Sequence, residues 1–390
     1  MTTWLRTTLA LFALLTLCGP QTQAQTTVQG SIRSGGLRRD YRLYVPAAYR
    51  PTTAVPLLFN LHGYGSNNLE QENYGDFRAI ADTANFLVVH PNGVADGSGT
   101  RSWNTFAPPG PGIDDVAFLS ALIDSLKLTY NIDNDRIYST GMSNGGFMSY
   151  ELAGRLSGRI AAVASVTGSI VQSRLNAFAP QHPMPILEIH GTADGTVPYN
   201  GNFLFLPIPT VLNYWVQFNG CLPTPVVTPV PDTNTTDGST AERSVWSGGR
   251  NGSVVEHYRI IGGGHTWPGS AFTTGVTNRD ISASREVWRF VRRFRLSRLS
   301  TPLATASATP TITPASYPNP FTTRLMLPAG TNLRPGHLSV TDARGRRMPV
   351  VVQAAGGGSF YIPTGAWAAG IYLLRTEMNG KVYAQKVAKQ

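Results

Sequence analysis

Gly141-Met142-Ser143-Asn144-Gly145 has the clearest chemical content in this chain, lying between an apolar run, RIYST, and a stretch of helical spacing, GGFMSYELAGRLSG. A serine at a strand-to-helix turn between small residues presents its hydroxyl at a helix N-terminus, the placement needed for attack on a carbonyl carbon. In a chain with 40 glycines the pentapeptide alone arises by chance, so the weight rests on the strand before it and the helix after it. A serine hydroxyl attacks only when a base takes its proton and a third group fixes that base. At such an elbow the partners follow in the order carboxylate, then histidine.

Two carboxylates after Ser143 compete for the orienting role. Asp194, in ILEIHGTADGTVP, follows an apolar run and sits in a glycine-flanked loop, where a carboxylate can reach an imidazole. Glu188 lies inside that run, and its ordinary reading is a polar residue pointing to a sheet face. Asp194 also reads as a plain turn-former. Three histidines follow: His257 within the alternating segment VVEHYRI, His265 after three glycines in GGGHTWPG, and His337 far downstream. The glycine run lets the backbone bend so that His265 can reach the nucleophile, which makes it the best base by position. An idle loop histidine is the alternative.

Acyl transfer further requires donors for an oxyanion. The elbow supplies the Asn144 N–H, and His62-Gly63-Tyr64-Gly65, closing the run LLFNL, offers the Tyr64 N–H, with His62 orienting that loop. A tight turn with no such role is the plain reading of HGYG. Trp103 and Trp267 are candidates for aromatic surface beside the substrate and, equally, for the core. Scattered histidines without metal-ligand spacing, and the lack of a phosphate or dinucleotide fingerprint, lead to the expectation of no metal and no cofactor.

These residues need strands to carry them. RDYRLYVPAAY, AVPLLFNLHGYG, NFLVVHPNG, DRIYSTGMSNGG, AAVASVTG, PILEIHGTAD and HYRIIGGGH read as strands. DDVAFLSALIDSLKLTYNID has apolar residues at Val116, Leu119, Leu122, Ile123 and Leu126, a helical spacing, with Asp114 and Asp115 at its N-terminus. ISASREVWRFVRRF closes as a helix capped by Asp280 or Ser282. Apolar strands alternating with helices predict an α/β fold, a doubly wound and mostly parallel sheet over residues 25–298.

Residues 1–24 have Arg6, an apolar run from Leu9 to Leu17, a Gly19-Pro20 break and Ala24, the layout of a cleavable export signal with Gln25 as the mature start. Acylation at Cys18 is disfavoured by the bulky Leu17 before it, and no apolar stretch reaches transmembrane length. With Cys18 removed, Cys221 is the one remaining thiol, so no internal disulfide is expected. Residues 299–316, rich in Thr, Ser, Ala and Pro, read as a linker. Residues 317–390 carry short alternating segments between Gly and Pro and predict a small all-β sandwich.

The chain of 390 residues carries a formal charge of +10, which on its face suggests an anionic partner such as nucleic acid. Its distribution argues otherwise. Residues 285–298 hold six Arg against one Glu, and residues 316–390 hold nine basic against two acidic residues. Residues 25–284, with 16 basic and 19 acidic, are slightly acidic, so no nucleic-acid partner is expected there.

NLHGYG, DDVAFL, DRIYSTGMSNGGFMSYELA, HGTADGTVPYNG and GGGHTWPG, in this order, resemble the secreted esterases of the α/β-hydrolase superfamily that include polyhydroxybutyrate depolymerases and feruloyl and acetylxylan esterases. The likeness covers about residues 30–298. It implies an α/β-hydrolase fold, with Ser143 as nucleophile, Asp194 as acid and His265 as base, and Trp267 bordering an ester substrate that is polymeric in some members. It also implies a second cysteine pairing with Cys221, where this chain has Ser247. The tail, with YPNPF, GIYLLR and KVYAQKVAKQ, is similar to the C-terminal sorting domain of the type IX secretion system. That likeness implies engagement of the secretion machinery and an extracellular or cell-surface destination. A serine peptidase on the same scaffold, and a non-catalytic secreted glycan-binding or adhesion protein, are the alternatives.

Overall fold

A computed structural model describes residues 25–300 except 107–109, 111 and 273–274, together with 316, 319–327, 337–343, 345–356, 359–378 and 381–390. The expected export signal, and the linker apart from Leu299, Ser300 and Ser316, lie outside the described residues. The chain divides into two compact units, Met1–Ser307 and Ala308–Gln390.

The first unit is built on one sheet. In chain order its elements are β1 (Thr26–Ser34), β2 (Leu37–Val45), β3 (Val55–Leu61), α1 (Asn68–Tyr74), α2 (Arg78–Ala84), β4 (Leu87–Pro91), a ribbon of β5 (Val94–Ala95) and β6 (Arg101–Ser102), α3 (Asp115–Lys127), β7 (Ile132–Met142), α4 (Asn144–Arg155), β8 (Ala162–Val166) and β9 (Ile186–Gly191). There follow α5 (Ile208–Asn219), β10 (Val226–Pro229), β11 (Thr240–Trp246), β12 (Val255–Ile261), α6 (Ala283–Val291) and α7 (Leu296–Leu299). The sheet order is β1-β2-β4-β3-β7-β8-β9-β12-β11-β10. From β4 to β12 every pairing is parallel, and antiparallel strands flank that block on both sides.

The parallel strands are apolar on both faces because both are covered. β3, β4, β8 and β9 are buried throughout. Phe77 and Ala81 beside α2, and Val287, Trp288, Phe290 and Val291 around α6, pack with Leu58, Val88, Ala164 and Leu187 in one cluster. On the opposite face, Tyr150 of α4 stacks at 6.4 Å on Trp215 of α5. Asp114 and Ser282 cap α3 and α6 through their side chains, so of the two predicted caps for the last long helix Ser282 is the one used. No helix among the described residues is long and apolar enough to cross a membrane.

Three of the six arginines in residues 285–298, Arg289, Arg293 and Arg295, pair with carboxylates of the sheet unit. The buried Glu256 on β12 pairs with Arg243 of β11 at 2.7 Å, with Arg293 at 3.3 Å and with Arg289 of α6. Arg295 lies 3.4 Å from Asp133, Ser297 Oγ donates to Asp135 at 2.7 Å, and Asn251 Nδ2 donates to the Leu299 carbonyl at 2.9 Å.

The second unit has two three-stranded antiparallel sheets. One is β13 (Arg324–Met326), β16 (Ser359–Pro363) and β15 (Gln353–Gly356); the other is β14 (Leu338–Asp342), β17 (Gly370–Met378) and β18 (Lys381–Lys389). Leu325 and Ile362 from the first meet Val340, Leu374 and Val387 from the second in one buried cluster, giving the small β-sandwich that the alternation predicts.

Candidate active site

The triad and oxyanion candidates stand just beyond the C-terminal ends of parallel strands. Gly63 and Tyr64 follow β3, Ser143 follows β7, Asp194 follows β9 and His265 follows β12. Open α/β sheets place their ligand sites along that edge.

Ser143 has φ +52° and ψ −119°, a strained conformation for a residue with a side chain, held because β7 ends on one side and α4 begins on the other. Two residues to either side of it only glycine fits. A Cβ on Gly145 would come within 2.0 Å of the Leu61 carbonyl, and one on Gly141 within 2.6 Å of the same oxygen. This close approach brings the loop after β3 against the elbow, where a Cβ on Gly63 would lie 3.6 Å from the Ser143 Cβ. Asn144 opens α4, so its N–H has no acceptor within the helix.

Asp194 Oδ2 accepts from His265 Nδ1 at 2.7 Å. Because a carboxylate only accepts, the proton is on Nδ1 and the other ring nitrogen is left free to act as base. Asp194 Oδ1 accepts the N–H groups of Thr196 and Val197, both at 2.8 Å. Burial works against ionisation of this carboxyl, but the hydrogen bonds from His190 and His265 outweigh it and hold it well below the usual carboxylate range. Backbone bonds from Thr192 to Ile260 and from Ala193 to Gly263, 2.8 and 3.0 Å, tie the acid loop to the base loop.

His62 Nε2 accepts from the Gly93 N–H at 2.9 Å and Nδ1 donates to the Gly63 carbonyl at 2.7 Å. Burial pushes this imidazole down to about 4, so it is neutral and serves to orient the loop. Trp103 joins the two halves of the candidate oxyanion site. Its Nε1 donates to the His62 carbonyl at 2.9 Å and its backbone N–H to Asn144 Oδ1 at 2.7 Å.

Ser143, His265, Gly63 and Tyr64 line one cavity of about 510 Å³, with Glu70, Tyr74, Met142 and Phe272 on its other walls. The two tryptophans that read equally as substrate surface or core do not line it. Trp103 is fully buried, and Trp267 is 1% exposed, its indole N–H donating to Ser284 Oγ at 3.1 Å and its ring packed edge-on against Phe77. The base loop turns Trp267 inward as its anchor, and the Trp267 N–H donates to Tyr74 Oη at 3.1 Å. Tyr64, Tyr74 and Phe272 supply the aromatic surface instead. Tyr74 lies on α1, a helix absent from the sequence reading. Its signal was there: Asn67 followed three residues later by Glu70, with Asn67 Oδ1 accepting the N–H groups of Leu69 and Glu70.

The competing candidates are occupied elsewhere. Glu188 is fully buried, bonded to Tyr150 and His190. His257 is bonded to the Glu188 carbonyl and to Tyr199, and His337 pairs with Glu377 in the second unit. Cys221 is a half-buried free thiol, and the Leu222 N–H donates to the Ser247 carbonyl at 2.9 Å where the resemblance implied a disulfide.

The esterase PHB depolymerase family matches residues 39–187, and the secretion system C-terminal sorting domain matches residues 315–390. The chain is 30% identical over 220 residues to feruloyl esterase C of Emericella nidulans, an overlap of 54% of this chain and 72% of that one. To a bifunctional acetylxylan esterase/xylanase of Neocallimastix patriciarum it is 30% identical over 268 residues, 69% of this chain and 35% of the other. To feruloyl esterase B of Piromyces equi it is 29% identical over 231 residues, 56% of this chain and 41% of the other. The chain thus spans less than half the length of these last two relatives. The sorting domain marks the protein for type IX export to the cell surface or beyond, and with its catalytic-type unit the chain belongs to the PHB depolymerase and feruloyl esterase family of carboxylic ester hydrolases.

Proposed function

We propose that the protein is a serine esterase that cleaves hydroxycinnamoyl esters of plant cell-wall polysaccharide through an acyl-enzyme. Ser143 attacks the ester carbonyl while His265 takes its proton and passes it to the departing alcohol. Asp194 holds the imidazole in the required tautomer and stabilises the imidazolium. The N–H groups of Asn144 and Tyr64 receive the oxyanion, and water activated by His265 releases the acid. The observation that carries this reading is the bonded Asp194–His265 pair opening onto the same cavity as the strained Ser143.

The aromatic and thioether walls at Tyr64, Tyr74, Met142 and Phe272 suit a planar phenylpropenoyl group, and the names of the feruloyl esterase relatives support that choice. The test is a panel of methyl ferulate, acetylated xylan, polyhydroxybutyrate and short p-nitrophenyl esters with wild type and Ser143→Ala. Ferulate is expected to turn over best and Ser143→Ala to be inactive throughout. Activity retained by Ser143→Ala rejects the mechanism; a preference for acetylated xylan or the polyester rejects the acyl assignment.

A further inference from the structure

On the acid side the site continues inward through groups that the triad chemistry does not require. His190, fully buried on β9, has its ring between two carboxylates. Its Nδ1 lies 2.9 Å from Glu188 Oε1, and its Nε2 lies 2.8 Å from the Val197 carbonyl and 3.3 Å from Asp194 Oδ2. Tyr150 on α4 donates to Glu188 Oε2 at 2.7 Å. A continuous chain, Tyr150–Glu188–His190–Asp194–His265, therefore runs from the helix that starts at the nucleophile to the base.

The partners fix the protons. A peptide carbonyl only accepts, so Nε2 carries a hydrogen; Glu188, raised by burial against the hydrogen bonds from His190 and Tyr150, calls for a second one on Nδ1 in its ionised form. We infer that His190 is a positioning residue, a buried imidazolium that shares Asp194 Oδ2 with His265 and so limits how tightly the carboxylate holds the protonated base. The inference rests on the triad reading above. Burial opposes the charge, but the hydrogen bonds to Asp194 and Glu188 override it and push the imidazole up to about 9. The other groups facing His190 are Tyr199, His257 and Arg259, the last its register partner on β12, with its guanidinium 5.8 Å from the Tyr199 ring. Tyr199 presents its ring at 6.0 Å, and His257 behind it is held neutral by burial, at about 3.

A cation next to Asp194 competes with the His265 imidazolium for the same negative charge. Removing it makes protonation of the base more favourable, so the acid limb of the kcat/KM profile, which reports that protonation, moves to higher pH. His190→Gln places a neutral donor where Nε2 stood. It is expected to raise the acid limb on p-nitrophenyl acetate by about one pH unit and to lower the plateau about tenfold. A lowered plateau with an unmoved limb means a merely structural role and overturns the proposal.

A measurement on the wild-type full chain covers the case in which the variant does not fold. With ¹⁵N-histidine at pH 8, both ring nitrogens of His190 should resonate as protonated while His62 and His257 resonate as neutral. A neutral His190 ring overturns the proposal. Failure of the triad reading would show separately, as turnover by Ser143→Ala.

Discussion

His62 on the oxyanion side and His190 on the acid side are both sealed from solvent, and they stand on either side of the same serine elbow. His62 is bracketed by two peptide groups, an N–H from Gly93 and the carbonyl of Gly63. One donor and one acceptor suit a neutral ring, and burial pushes it to about 4. His190 is bracketed by acceptors alone, two carboxylates and a carbonyl, and is pushed to about 9 against the same desolvation. Equal burial thus yields opposite protonation, decided by what the ring nitrogens face. In the proposed mechanism the oxyanion side works by fixed dipoles with no mobile charge, and the acid side by a balance of charges around one carboxylate.

The largest effect should come from breaking that balance at its centre. Asp194→Asn is expected to lower kcat by on the order of 10⁴, because an amide permits the wrong tautomer of His265. A loss under tenfold, measured on p-nitrophenyl acetate, would assign the orienting role elsewhere. The next contrast is in stability against pH. His62 is depressed from an ordinary 6.5 to about 4. Its contribution is therefore present above pH 6.5 and is lost as pH falls toward 4, up to about 3 kcal/mol, with His90 and His257 acting in the same sense. His190, raised to about 9, contributes fully below pH 6.5 and loses its contribution as pH rises through 9. Urea midpoints across this range should show His62→Gln flattening the acid slope and His190→Gln the alkaline one. Equal slopes in both variants would erase the distinction.

A smaller effect isolates the oxyanion side. Trp103→Phe keeps an aromatic ring in this fully buried place but opens a small cavity and leaves the buried His62 carbonyl without its 2.9 Å donor. We expect a cost of about 1–3 kcal/mol in stability and a kcat about tenfold lower with KM nearly unchanged. A change confined to KM would place Trp103 in substrate binding after all.

The triad candidates were legible because chain order and glycine-bounded strand ends constrain where such side chains can stand. Asp194 and His265 occupy those loops and meet at 2.7 Å. The parallel core was legible from continuous apolar runs. Less was visible where a residue's partners come from distant segments. Trp267 sits two residues after His265 and reads equally as substrate surface or core, and only its partners Phe77 and Ser284 show it turned inward. His190 looks like one more residue of an apolar strand, since its meaning depends on Glu188 and Asp194 sharing its side of the sheet. The edge strands β1 and β10 escaped notice because half-exposed or exposed residues there leave no apolar signature. The helix α5 was missed although its buried face includes Val211, Leu212 and Trp215.

The arginine cluster around Glu256 determines where this chain can be cut. A truncation at residue 284, where the slightly acidic stretch ends, would strip Arg289 and Arg293 from a carboxylate with no access to water and leave it Arg243 as its remaining cation, and buried charges that lose partners are costly. Ser297 and the Leu299 carbonyl remain bound to the sheet unit through Asp135 and Asn251. A cut between the two units keeps these contacts only when it falls beyond residue 300, and any shortened form made for assay should end there as well.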